Sequence, residues 1–133
     1  MPLLDPEFDE EAEAEEWRAH EAFSALPAAL RTEQRLIGTL LARPALYARV
    51  RCKPDDFVDP FHARIFGFGR ALWRLGRCAS ALSVAMWLWH VTPLLEAGDR
   101  MTPIEELVFD TLGWTFPEYI LALERGCQDV LYS

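Results

Sequence analysis

Four polar side chains lie close enough along the chain to do chemistry together: Asp55, Asp56, Asp59 and His62. Carboxylates beside an imidazole could hold a divalent metal, or share the work of a general acid and base. Their local settings point elsewhere. Asp59-Pro60 has the form of a helix start, with a carboxylate able to accept backbone N–H groups and proline at the first helical position. Asp56 precedes Phe57, an apolar anchor in a turn, and His62 falls in the first helical turn, where its ring can hydrogen-bond back to that turn. Capping and turn formation thus account for the cluster, and no catalytic residue, metal site or cofactor is expected. His20 and His90 stand alone, and no Ser, Thr or Cys sits in a recognisable nucleophile motif. Cys52, Cys78 and Cys127 are widely spaced with no C-x-x-C unit, a pattern of buried thiols in a reducing compartment.

Phosphate chemistry is also poorly served. A nucleotide-hydrolysing motor needs a glycine-rich loop ending in Lys and Ser or Thr, so that backbone amides and the ammonium cradle the phosphates. Lys53 is the only lysine and no such loop is present. Binding is the better prospect. Arg70, Arg74 and Arg77 make a basic stripe, supported by Arg31 and Arg35 one turn apart, which could meet an acidic protein, the acidic start of this chain, or DNA phosphates. No zinc finger, helix-turn-helix or RNP aromatic pair accompanies it. Trp87 and Trp89 are the other candidates: residues two apart on a helix lie about 200° apart around it, so both cannot face inward, and one is a candidate interaction anchor.

The elements that must position these groups read as helices throughout. The chain has 133 residues, 51% of them hydrophobic, and lacks an unbroken apolar run of about 18 residues. One soluble domain with no membrane span is therefore expected. An acidic rather than basic-then-apolar N-terminus carries no export signal, so a cytoplasmic location is expected. The formal charge of −8 is unevenly spread, with −8 on residues 1–26, +6 on 27–77 and −6 on 78–133. These blocks suggest an acidic N-terminal extension over 1–26, helical from Asp5-Pro6-Glu7 or disordered until bound, and a domain over 27–133.

Within that domain Pro27 opens a helix with Leu30, Ile37, Leu40 and Leu41 on one face, and Pro44 closes it. A short helical turn follows around Ala45–Val50. The helix from Asp59-Pro60 runs to Gly76, with Phe61, Ile65, Phe68, Leu72 and Leu75 along one face. Ser80 or Ser83 can cap a fourth helix that Pro93 ends or kinks. Thr102-Pro103-Ile104-Glu105 and Thr115-Phe116-Pro117-Glu118 are capping boxes that launch helices to Leu112, stopped by Gly113, and through Tyr119, Ile120 and Leu123 to Leu131. The fold class expected is all-α, a compact multi-helix bundle.

One series of residues at fixed spacing runs through these elements: Pro27, Leu30, Glu33-Gln34, Gly38, Leu41, Asp55-Asp56-Phe57, His62, Ile65-Phe66, Leu72, Gly76, Ser80, Ser83 and Leu88. It resembles the N-terminal domain of DnaB-type replicative DNA helicases, with the stretch from Asp55 to Gly76 matching without a gap. The resemblance covers residues 27–90 well and the remainder poorly. It implies that Glu33, Gln34, Gly38, Asp56, Phe57, His62, Ile65, Phe66, Leu72 and Gly76 are structural positions of a six-helix collar domain without chemistry of its own. It further implies a role in the primosome, docking primase, a helicase loader or the replicative helicase, with assembly into homo-oligomers. Tyr119 to Leu131 is similar to the tyrosine-led helix of the arm that joins neighbouring domains in that family, and a second arm would lie beyond Ser133. A stand-alone accessory and a piece of a helicase both fit, and a small DNA-binding regulator using the arginine stripe is the alternative.

Overall fold

The computed structural model describes residues 21–95 and 102–124, which are helical with no strand among them. The elements are α1 (Ala28–Ala42), two 3-10 turns (Pro44–Ala48 and Pro54–Asp56), α2 (Pro60–Arg74), α3 (Ala81–Leu95), α4 (Pro103–Glu105, widening into a π turn over Glu106–Thr111) and α5 (Phe116–Glu124). The Asp5-Pro6-Glu7 start, Cys127 and the stretch from Val130 to Leu131 lie outside the described residues.

Local chemistry sets most boundaries. The Asp59 carboxylate accepts from the backbone N–H groups of Phe61 and His62, at 3.1 and 3.2 Å, and Pro60 follows it, so α2 starts where the cap lies. Gly76, at φ 72°, supplies the left-handed turn that stops it. By contrast α1 begins at Pro27 with no side-chain cap. The Ser83 N–H donates to Ser80 Oγ at 3.4 Å, which makes Ser80 the cap of α3. Thr115 and Glu118 form the reciprocal box at the start of α5: Thr115 N–H donates to Glu118 Oε1 at 3.1 Å, and Glu118 N–H to Thr115 Oγ1 at 3.4 Å.

Several expectations are corrected. Leu75 is 72% exposed, because it occupies the C-cap of α2 and not its buried face. Of the two outcomes expected at Pro93, ending the helix is excluded, since α3 runs past it to Leu95; proline in a last turn removes one backbone donor without ending the helix. The helix launched at Thr102 is α-helical for one turn only before its bonds shift, with Leu112 N–H reaching Leu107 O at 2.9 Å. Cys78 is exposed and not a buried thiol, since it lies in the turn between Gly76 and the α3 cap.

α5 lies chiefly against α3 and α1, while α2 packs on α1, α3 and both 3-10 turns. Their shared core contains Phe23, Leu30, Ile37, Phe61, Ile65, Phe66, Leu88, Ile104, Ile120 and Leu123, each no more than 2% exposed. Burying each such side chain stabilises the fold by about 1.5–3 kcal/mol. Phe23 reaches this core from before α1 and lies tilted against Trp114 and Tyr119, with ring centroids 6.0 and 6.1 Å away. Over its described length α5 is therefore a core helix of the bundle and not a projecting arm.

Candidate functional site

Two polar residues of α1, Glu33 and Gln34, are buried on the face that also carries Leu30 and Ile37. A charge in such a position is costly unless it is hydrogen-bonded. Helix α2 supplies the partner: His62 is fully buried, and its Nδ1 lies 2.8 Å from Glu33 Oε1. On the other side of the ring, Nε2 lies 2.7 Å from the Tyr119 hydroxyl of α5, and Gln34 Nε2 donates to that hydroxyl at 3.0 Å. The His62 and Tyr119 rings are nearly parallel, at 14°.

One assignment of protons satisfies the chain. Gln34 donates to the Tyr119 oxygen, the Tyr119 O–H donates to His62 Nε2, and the His62 Nδ1–H donates to Glu33. Glu33 also accepts from the backbone N–H groups of Val58 and Asp59 in the turn before α2. Burial works to raise the Glu33 carboxyl, but hydrogen bonds from His62 and Val58 outweigh it and hold the group below its ordinary value. Three helices and one turn are thus tied at a single point.

This constellation has the donor types of an acid–base relay but not its access. His62 and Tyr119 are each 0% exposed, so no substrate atom can approach the imidazole or the phenol. The cluster expected from the sequence divides. Asp59 and His62 are buried in capping and bridging roles, whereas Asp55 and Asp56 are exposed, with Asp56 Oδ2 accepting from Lys53 N–H at 2.8 Å. No group of three or more His, Cys, Asp or Glu side chains among the described residues could hold a metal ion. The expectation that His62 bonds back within its own turn is corrected: its ring reaches across to α1 and α5. Glu33 and Tyr119 as its partners were missed, although a Glu on an otherwise apolar helix face signals that a donor must come from elsewhere.

Gly69 gives room for Tyr47, since a Cβ there would overlap the tyrosine hydroxyl. Gly38, Ile65, Phe66 and Leu72 are buried, and Phe57 packs on Phe66 with centroids 5.0 Å apart.

The surface candidates are placed as follows. Arg74 and Arg77 are exposed, while Arg70 is half-buried, with its guanidinium 5.3 Å from the Phe66 ring centre and Nη1 donating to Cys52 O at 3.4 Å. Trp87 and Trp89 are both exposed, at 44% and 58%. The buried stripe of α3 is Ala81, Val84, Ala85 and Leu88. Leu88 faces inward between the two tryptophans, about 100° from each, so both are turned to the flanks. Leu82 and Met86 are exposed on the flank of Trp89, at 59% and 56%. Together with Ala85, His90, Thr115, Pro117 and Leu121, the residues Leu82, Met86 and Trp89 line an apolar groove of about 310 Å³ between α3 and α5.

The bundle thus encloses His62, Tyr119 and Asp59 and leaves Leu82, Met86 and Trp89 of α3 exposed. Residues 25–113 match the family model of the DnaB-like helicase N terminal domain. This span is more than half of the chain, which therefore belongs to that family, a module related to replicative helicases. No curated protein and no solved structure matches it. No described helix is long and apolar enough to cross a membrane.

Proposed function

We propose that this chain is a non-catalytic protein-interaction module of DNA replication that docks a replicative helicase, a primase or a helicase loader. The observation that supports this most is the division of side chains. The His62, Tyr119 and Asp59 side chains are at most 1% exposed, whereas Leu82, Met86 and Trp89 stand in solvent on one flank of α3. Exposed aromatic and methionine side chains beside a groove are the composition of an interface centre, where a few anchors carry most of the binding energy. In this reading residues 27–133 form the docking domain and 1–26 an acidic extension, Phe23 pinning the end of that extension to the core. The location is cytoplasmic.

The test is a binding titration of the full chain against each purified partner class, with Met86→Asp/Trp89→Asp as the altered protein. Both positions are exposed, so the variant should keep its helical circular dichroism. Binding to one partner that falls by about 100-fold or more, a change of about 3 kcal/mol expected of two anchors, supports the reading. Absence of binding to all three classes, or unchanged binding by the variant, contradicts it.

A further inference from the structure

Much of the basic middle of the sequence lies on one segment and the helix it packs against. The segment from Arg43 to Pro54 runs along α2: the Tyr47 ring lies 5.7 Å from Phe66 and 6.5 Å from Trp73, and Arg70 Nη1 donates to Cys52 O at 3.4 Å. Arg43, Arg49, Arg51 and Lys53 are exposed on that segment, beside Arg70 and Arg74 of α2. No ion pair joins these six to a carboxylate among the described residues. Asp55 and Asp56 are the acids at its near edge, and Asp56 is occupied by the Lys53 N–H. A chain of net charge −8 thus keeps an unneutralised positive face.

We propose that this face binds the phosphate backbone of nucleic acid, without reading bases. Three observations favour that partner over an acidic protein. Five of the six cations are arginines, whose planar forks pair bidentately with phosphate oxygens. No large apolar side chain from residue 43 to 57 is exposed; the exposed Val58 and Leu75 follow the segment and Arg74 as single residues, so cations outnumber apolar anchors on this face. Arg70, held by the Cys52 carbonyl and stacked on Phe66, fixes the segment to the helix, so the charges are presented at set spacing. The inference is independent of partner docking through α3.

Fluorescence anisotropy of short labelled oligonucleotides of two unrelated sequences, titrated with the full chain over a salt series, tests it. The two sequences should bind equally, with log affinity falling linearly in log salt at about 0.7–0.9 per phosphate neutralised. In Arg49→Glu/Arg51→Glu/Arg74→Glu, whose circular dichroism should match the parent, the slope should fall by about 2–3 and affinity at low salt by at least tenfold. Met86→Asp/Trp89→Asp should change neither, which keeps this test separate from that of protein docking. No binding at low salt, binding unaffected by the three charge reversals, or displacement of the oligonucleotide by polyglutamate at equal charge concentration would overturn the proposal.

Discussion

The Tyr119 hydroxyl and His62 Nε2 lie 2.7 Å apart, across 57 positions of sequence. That contact closes the hydrogen-bond chain from Gln34 to Glu33 and fastens α5 to α1 and α2. Tyr119→Phe keeps the ring in the core but removes the oxygen that serves both Gln34 and His62. Leaving those two buried groups unpaired should cost about 1–3 kcal/mol, seen as a lower midpoint in urea with an unchanged m-value. Unchanged stability would mean that the network does not hold the helices.

Acid sensitivity should be traceable to Glu33. Burial opposes its ionisation, but His62, Val58 and Asp59 stabilise the charged form more, so the folded carboxyl sits below the ordinary value of 4.5. The folded state then binds fewer protons than the unfolded one, so this contribution is complete above 4.5 and is lost as pH falls through the lowered folded value. Glu33→Gln has one acceptor oxygen where Glu has two; it should be less stable at neutral pH and lose less stability on acidification. Urea midpoints across that pH range measure both effects.

How much of this was legible in the sequence depends on the range of the interaction. Asp59 with Pro60, Gly76, and Thr115 with Glu118 act within four residues, so cap chemistry and backbone sterics announce them. The Glu33–His62–Tyr119 contact spans three elements, and nothing near His62 names its partners. Polarity on a buried helix face gives the one hint, and it indicates that a partner exists but not which. Trp87 and Trp89 show a different limit. Helical geometry forbids both from facing inward, but only the packed stripe from Ala81 to Leu88 shows that neither does. Leu75 follows the helix period in sequence but occupies the C-cap, where the turn at Gly76 takes it out of register with the core.

The approach of Tyr47 to α2 can be measured directly. Gly69→Ala would place a Cβ against the Tyr47 hydroxyl and 3.0 Å from its ring carbon. Overpacking of this kind costs about 1–3 kcal/mol. Tyr47→Phe removes the atom met first, so the double variant should recover part of the loss. A double-mutant cycle with no coupling would refute the contact.

Cys78 should be the more reactive of the two described thiols. Hydrogen bonds from Ser80 and Ser83 bring it down to about 7, while burial pushes Cys52 up. Iodoacetamide labelling followed by peptide mass spectrometry should show Cys78 modified first, at a rate rising through pH about 7. Ser80→Ala should move that rise to higher pH. Equal labelling of Cys52 and Cys78 would contradict the assignment.

Hydrogen–deuterium exchange of the full chain, alone and with the replicative helicase, primase or loader that binds it, tests the docking role most directly. Added protection should fall on peptides covering Leu82 to His90 and Thr115 to Leu121, the two walls of the apolar groove. Protection confined to other helices, with the exchange of α3 unchanged in the complex, would contradict the claim that this face carries the interaction.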